Sequence, residues 1–264
     1  EKLAALEKAL LDESVDPIDL PFSLLRSITG NFSEAQEIGR GGFGAVYKGV
    51  LPSGRSIAVK KLFERFEILD KNFESEVACL IGVKHKNTSR FLGYCSETQL
   101  VIMPYDGKLV CAEERQRLLC FEYLRKGCLA GYLSDASCQL QWTTRYQIIK
   151  EVCEGVHYLH QQRIIHMDLK PQNVLLDDNM VPRIADFGLS RRLSGSQSRV
   201  ITENKLGTMG YMAPEFLNNG EVTFMTDIYS LGAIIMEILM GHKECCNVKK
   251  VILLYMSKVQ RKIF

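Results

Sequence analysis

The segment His166-Met167-Asp168-Leu169-Lys170-Pro171-Gln172-Asn173 sets three different chemistries at short spacing: a carboxylate, an amine two residues on, and a carboxamide five residues on. A carboxylate in such a loop can orient a hydroxyl nucleophile and take its proton. The Lys170 ammonium is spaced to neutralise charge on a transferring phosphoryl group, and Asn173 offers a hard oxygen to a divalent cation. Thirteen residues beyond Asn173 comes Asp186-Phe187-Gly188, whose carboxylate supplies a second oxygen ligand. Magnesium accepts a small set of protein oxygens when triphosphate oxygens and water complete its shell. A loop with an Asp and an Asn is common in proteins of any function. Its coupling to a second acidic motif at this distance is not.

Upstream, Gly39-Arg40-Gly41-Gly42-Phe43-Gly44-Ala45-Val46 has the spacing Gly-x-Gly-x-x-Gly-x-Val. Dinucleotide-binding proteins share that glycine spacing, but there it leads from a strand into a helix. Here Ala45-Val46-Tyr47-Lys48-Gly49 is β-like, so the loop turns back into a strand and forms a flap whose backbone can cover phosphates. Sixteen residues after Gly44, the apolar strand Ile57-Ala58-Val59 ends in Lys60, in reach of α- and β-phosphates. An isolated lysine after a strand is ordinarily a solvated charge, and its place behind a glycine flap is what argues for a ligand. Such a lysine needs an anion to hold it. The helix expected over 70–83 offers Glu74 and Glu76, and the frame Phe73-x-x-Glu76-Val77 turns Glu76 inward.

Periodicity supplies the elements that must position these groups. Leu3, Leu6 and Leu10 are at helical spacing, followed by a linker broken by Pro17 and Pro21. From Glu37 to Lys61, β-branched runs around Ile38, Ala45–Tyr47 and Ile57–Val59 predict a β-meander, with Pro52-Ser53-Gly54 as a turn. Phe73, Val77, Leu80 and Ile81 share a face of a helix that stops at Gly82. Between strands at Phe91–Cys95 and Leu118–Tyr123, Asp106-Gly107 separates two β-leaning runs, which reads either as a hairpin or as a disordered insert. After Gly127 the texture is helical, with Ile148, Ile149, Val152, Val156 and Leu159 at helical intervals and Ile228–Met240 apolar nearly all round. A β-rich first part, a joint near residue 124 and a helical second part imply two lobes.

Composition narrows the classes. Hydrophobic residues make up 46% and charged residues 24% of the 264, which is ordinary for a globular chain long enough to bury a substantial core. Thirty-three basic against thirty-one acidic residues, net +2, give no wholesale field for nucleic acid or for a membrane surface. Nine cysteines, an odd number with no Cys-x-x-Cys pair, imply a reduced cytosolic setting and no zinc. Cys79, Cys120 and Cys153 lie in apolar stretches and read as small buried hydrophobes. The longest apolar run, Leu231–Met240, is too short to span a bilayer and carries Glu237. The chain opens on Glu1 without a signal-peptide pattern, so it reads as a piece of something longer, with a membrane anchor outside it left open.

The glycine flap, Lys60, Glu76, the 166–173 loop, Asp186-Phe187-Gly188 and Ala213-Pro214-Glu215 occur in the order and approximate spacing of the protein kinase superfamily, over roughly residues 35–241. Lys170 after Asp168 is similar to serine/threonine kinases. Gly207-Thr208-Met209-Gly210-Tyr211-Met212-Ala213-Pro214-Glu215, with His85-Lys86-Asn87, Leu92-Gly93-Tyr94-Cys95 and Phe121-Glu122-Tyr123-Leu124, resembles the plant receptor-like and receptor-like cytoplasmic kinases. The resemblance implies an α+β, bilobal protein-kinase fold with a β-rich N-lobe and a helical C-lobe lacking its last helices. Its layout is an N-terminal helix and linker at 1–34, the N-lobe at 35–121, the C-lobe at 122–241 and a divergent tail at 242–264.

The resemblance also implies that ATP is bound by Ile38, Gly39, Gly41, Gly44, Val46, Ala58, Lys60, Glu122 and Leu124, with adenine on the backbone at 122–124 and Phe121 as gatekeeper. Mg²⁺ would be held by Asn173 and Asp186, and catalysis carried by Asp168, Lys170, Lys60 and Glu76. Asp227 would brace the catalytic loop, and Glu76 would pair with Lys60 only in the active state. Expected partners are ATP, protein substrates and an upstream receptor or co-receptor, with no nucleic acid and no membrane span in this segment. The expected location is the cytoplasm, or the cytoplasmic face of the plasma membrane when part of a longer receptor.

Two departures from the family pattern matter. Met167 stands where many members carry an arginine that pairs with an activation-segment phosphate, a non-RD pattern that points to control by partner binding or release of inhibition. Ser194, Ser196, Ser198, Thr202 and Thr208 still lie in the 186–215 segment, and Thr208 reads as structural rather than a switch. After Gly241 the family's further helices and the arginine that pairs with Glu215 find no counterpart, and Val248–Phe264 has the pattern of one basic amphipathic helix. A buried, unpaired Glu215 would cost several kcal/mol. Three readings follow: a serine/threonine kinase, a truncated non-catalytic interaction module or decoy, and, most distantly, a dinucleotide oxidoreductase.

Overall fold

The computed structural model describes residues 1–63, 69–134, 140–195 and 197–240. The expected helix over Val248–Phe264, together with Ser196, Cys138, Cys245 and Cys246, lies outside the described residues. The chain forms two compact units, residues 1–84 with 89–123, and residues 85–88 with those from 124 onward.

In the first unit the order is α1 (Lys2–Leu11), β1 (Ile18–Asp19), α2 (Phe22–Ile28), β2 (Glu37–Arg40), β3 (Gly44–Val50), β4 (Ser56–Leu62), α3 (Leu69–Leu80), β5 (Phe91–Tyr105) and β6 (Lys108–Glu122). The strands make one sheet in the order β1-β5-β6-β4-β3-β2. All neighbours are antiparallel except β1, which joins β5 in parallel through Ile18↔Gly93 and Asp19↔Tyr94. Strand alternation sends Ile57 and Val59 into a core with Leu92, Cys95, Leu118 and Cys120. Leu6, Leu20 and Leu25 complete that core, so the segment before residue 34 is built into the unit rather than trailing from it. Burying each of these leucines contributes about 1.5–3 kcal/mol. Arg90 donates to Ala9 O and Leu10 O, satisfying carbonyls that the end of α1 leaves without intrahelical partners.

The Asp106-Gly107 pair forms the hairpin turn of β5 and β6, both residues having positive φ (48° and 70°), the signature of a type I′ turn. The disordered alternative for this stretch therefore falls, and both strands run much further than the apolar runs at 91–95 and 118–123 suggested. α3 ends before Gly82, which takes φ +84°.

The second unit holds α4 (Leu129–Ser134), α5 (Trp142–Gln161), β7 (Ile164–Ile165), β8 (Val174–Leu176), β9 (Pro182–Ile184), β10 (Arg191–Arg192), β11 (Val200–Ile201), α6 (Pro214–Asn219), β12 (Glu221–Val222) and α7 (Phe224–Met240). α5 buries Ile148, Val152, Val156 and Leu159, the helical face read from the sequence. α7 buries Leu231, Ala233, Ile234 and Ile238. The small sheets β7–β10 and β8–β9 bracket the 166–173 loop and the start of the 186–215 segment.

Candidate active site

In the first unit β4 lies between β3 and β6, and its pleat puts Ala58 and Lys60 on the face opposite Ile57 and Val59. Val46 of β3 stands directly across from Lys60, and Phe121 of β6 across from Ala58. Val46, Ala58, Phe121 and Glu122 are half-buried, and Ile38 is exposed. Lys60 Nζ donates to Glu76 Oε1 at 2.8 Å, with only 7% of Lys60 and 3% of Glu76 exposed. Burial decides between the two candidate anions, because Glu74 points to solvent. A buried ammonium and carboxylate at this distance each offset part of the cost of burying the other. The pair expected of an active arrangement is formed.

The glycines divide by purpose. At Gly44 a Cβ would meet Lys61 O at 2.4 Å, so the neighbouring strand requires this glycine. At Gly39 and Gly41 a Cβ would meet no atom of the chain within 4 Å, and neither has a positive φ. Nothing internal requires a glycine there. Open backbone on a flap is what a phosphate-bearing ligand approaches, so these two positions fit a nucleotide.

In the second unit the 166–173 loop leaves β7, passes Asp168, and closes in a short 3-10 turn, Pro171–Asn173, before β8. Asp227 of α7, 1% exposed, accepts the His166 N–H at 2.8 Å through Oδ2 and the Met167 N–H at 2.9 Å through Oδ1. His160 Nε2 lies 2.9 Å from the same Oδ2. The brace expected of Asp227 is thus a pair of hydrogen bonds to loop amides. Met167 sits at φ +68° with its side chain in an apolar cluster of Ile165, Leu193, Met212, Ala213 and Phe216.

Asp168 is held from three sides. Lys170 Nζ donates to Oδ2 at 2.6 Å, Thr208 Oγ1 donates to Oδ1 at 2.7 Å, and Asn173 Nδ2 donates to Oδ2 at 3.2 Å and to the Asp168 carbonyl at 2.8 Å. Lys170 Nζ also donates to Thr208 Oγ1 at 2.9 Å, closing a ring of three side chains. The sequence marks Thr208 as structural; its bond to the carboxylate, 40 residues away, carries no short-range signal. Asn173 spends its amide nitrogen on the loop, so its amide oxygen is the end that would serve a cation. Asp186 adopts φ +64°, and beside it Phe187 is fully buried with its ring 5.1 Å from that of His166. Ala185 N donates to Asn173 O at 2.9 Å, which ties the two metal-ligand candidates into one scaffold. Among the described residues no group of three or more His, Cys, Asp and Glu side chains could hold a metal. An Asn–Asp oxygen pair is instead the donor set of a cation that shares phosphate oxygens, so the residues fit a divalent metal bound with a nucleotide.

Glu215 corrects the sequence reading. It is half-buried in the first turn of α6, with part of its surface open to solvent. Among the described residues no salt bridge to Glu215 is seen, but solvent screens it and the cost expected of a buried carboxylate does not arise. Leu124 belongs to the second unit and Glu122 to the first.

Comparison with known proteins decides the family. The protein kinase domain matches residues 32–263. The chain belongs to the protein kinase domain family. It is 42% identical over 249 residues to cysteine-rich receptor-like protein kinase 2 of Arabidopsis thaliana, covering 92% of this chain and 35% of that protein. It is 40% identical over 228 residues to the G-type lectin S-receptor-like serine/threonine-protein kinase SD1-13 of Arabidopsis thaliana, covering 84% of this chain and 26% of that protein. Cysteine-rich receptor-like protein kinase 7 of the same plant is 38% identical over 236 residues, covering 88% of this chain and 33% of that protein. The chain thus spans about a quarter to a third of the length of these relatives. Its kinase domain is of the plant receptor-like kind, and membership implies use of ATP and a divalent metal. Among the described residues no helix is long and apolar enough to cross a membrane.

Proposed function

We propose that this chain is a serine/threonine protein kinase that transfers the γ-phosphoryl group of Mg-ATP to hydroxyls of protein substrates. The observation that carries the reading is the ring Asp168–Lys170–Thr208, a carboxylate oriented at both oxygens beside a cation. In this reading Asp168 accepts the substrate hydroxyl proton while the hydroxyl oxygen bonds to phosphorus and the bond to the ADP oxygen breaks. Lys170 offsets charge on the transferring group, and Thr208 keeps Oδ1 aimed. Lys60, fixed by Glu76, holds the α- and β-phosphates, under Gly39, Gly41 and Gly44 of the flap. Ile38, Val46 and Ala58 hold the adenine with the backbone at Glu122 and Leu124. Asn173 and Asp186 would hold Mg²⁺, which would supply positive charge against the leaving phosphate oxygens.

We divide the chain as an N-terminal segment at 1–34, an N-lobe at 35–121, a C-lobe at 122–241 and a tail at 242–264. We place it in the cytoplasm or on the cytoplasmic face of the plasma membrane, acting with an upstream receptor or co-receptor; the receptor-like names of its relatives support that reading. The test pairs a thermal-shift titration with Mg-ATP and an autophosphorylation assay of wild type against Asp168→Asn. Stabilisation by nucleotide with phosphate incorporation lost in the variant is expected. Equal incorporation in both would defeat the assignment, and absence of nucleotide stabilisation would leave the non-catalytic module.

A further inference from the structure

Beyond Tyr94 on β5 and Leu118 on β6, neither β1 nor β4 follows, and the two strands continue as a ribbon to the Asp106-Gly107 turn. A two-residue type I′ turn makes Tyr105 and Lys108 a hydrogen-bonded pair, and such pairs alternate along an antiparallel ladder. The outward-facing N–H and C=O groups therefore belong to Leu100, Ile102 and Pro104 on β5 and to Leu109, Cys111 and Glu113 on β6. Pro104 has no N–H to offer, which blunts the β5 edge at the ribbon's end in the way sheet proteins guard exposed strands. The β6 edge has no such guard. From Lys108 to Glu114 no strand pairs with it among the described residues. Its flanks are apolar and open, Leu109 being 76% exposed, Leu100 74% and Ile102 73%.

We propose that the β6 edge from Lys108 to Glu114 is a strand-addition surface whose occupant is a second copy of this chain, pairing β6 with β6 antiparallel about a two-fold axis at Cys111. Charge and hydrogen-bond parity select both the occupant and the register. The edge carries Lys108 at one end and Glu113 and Glu114 at the other, so it complements its own reversed copy better than a uniformly basic or acidic strand. With the axis at Cys111, the outward groups of Leu109 meet those of Glu113 of the second copy, and Cys111 meets Cys111. The closely spaced positions between them then bring Lys108 opposite Glu114 and Val110 opposite Ala112. A slip of one residue sets outward groups against inward ones. A slip of two sets Lys108 against Ala112 or Gln116 and loses both ion pairs. Seven-residue strands bury less than the ~1,600 Å² of a standard interface, so the dimer is reversible and concentration-dependent.

The experiment is sedimentation equilibrium of the full chain across a range of concentration, with a short bis-maleimide as covalent reporter. Wild type is expected to dimerise and to cross-link through Cys111, and Cys111→Ser to lose the cross-link but keep the dimer. Cys111→Pro removes an outward N–H that β5 does not use, as Pro104 does on the other strand, and is expected to abolish the dimer at an unchanged melting temperature. Lys108→Glu is expected to weaken association about tenfold or more, and Lys108→Glu with Glu114→Lys to restore it. Failure of the double variant to recover, or a dimer indifferent to Cys111→Pro, would overturn the register and the surface. A monomer at every concentration would overturn the second copy and leave the edge to a strand of another protein.

Discussion

Arg117 Nε donates to Asp70 Oδ1 at 2.8 Å, a bond from the root of the β5–β6 ribbon to the helix that carries Glu76. Arg115 Nη1 reaches the other oxygen of Asp70 at 2.9 Å, and the Arg117 guanidinium lies 5.8 Å from the centre of the buried Phe73 ring. Arg117 also donates to the Glu97 carbonyl at 2.8 Å. The ribbon root thus grips the first turns of α3, and the same helix presents Glu76 to Lys60.

Arg117→Ala should therefore loosen α3 as well as lower stability. The pair is partly buried and joined by one charge-assisted bond, with Arg115 on the other Asp70 oxygen, so a loss on the order of 1 kcal/mol is expected in urea unfolding. Kinase activity should fall further than stability accounts for, because Glu76 then orients Lys60 for a smaller fraction of the time. Arg117→Lys keeps charge but not the fork and should recover only part of the activity. Unchanged kcat in a destabilised Arg117→Ala protein would show that the grip has no bearing on Lys60.

Thr208 ties Asp168 to the segment before Ala213-Pro214-Glu215. A hydrogen bond to a charged group is worth about 1.5–3 kcal/mol, so Thr208→Ala is expected to lower kcat roughly tenfold to a hundredfold. Thr208→Ser retains the hydroxyl and should stay within a few-fold of wild type. Equal losses in both variants would mean that the methyl group, not the bond at 2.7 Å, matters.

Met167→Arg tests why this loop lacks the arginine of many relatives. The Met167 side chain is 6% exposed among Ile165, Leu193, Met212 and Phe216. A guanidinium there would be desolvated without a carboxylate partner. Destabilisation of about 2–5 kcal/mol, seen as a large fall in melting temperature, is expected rather than a gain of activity. A fully stable, more active variant would show that the loop still accommodates a phosphate-pairing arginine.

Local chemistry made part of this legible in advance. Asp106-Gly107 announces its turn because both positions need positive φ, and the glycine flap announces its strand through Ala45-Val46-Tyr47. Lys60 and Glu76 were legible as a pair because one helix offers few carboxylates. The grip of Arg117 on Asp70 was not, since 47 residues separate them and no short-range pattern links them. α2 escaped because seven residues between Pro21 and Gly30 show too little periodicity, and its Leu25 is buried in a core that α1 and the sheet build from residues distant in sequence. Glu215 was misread because burial was inferred from a motif, whereas exposure depends on how α6 meets solvent.

Acid sensitivity should have one traceable source at His85. Its pKa lies below the ordinary 6.5, chiefly through burial and then through the nearby Lys86 and Arg183, with Glu154 opposing. The ring stacks on Tyr158 at 4.6 Å, and Nδ1 accepts the Asn87 N–H at 3.1 Å, which requires the unprotonated nitrogen. Because the folded state binds this proton less readily than the unfolded state, stability is unaffected above about pH 6.5 and falls as pH drops from there toward the lowered folded pKa. His85→Asn can still accept the Asn87 N–H through its side-chain oxygen, as in an Asx turn, but does not titrate. The difference in unfolding free energy between pH 7.5 and pH 5.5 should shrink in the variant, by less than about 1 kcal/mol because the ring is partly solvated. Carboxylates elsewhere titrate equally in both proteins and cancel. Parallel pH profiles for wild type and His85→Asn would remove His85 as the source.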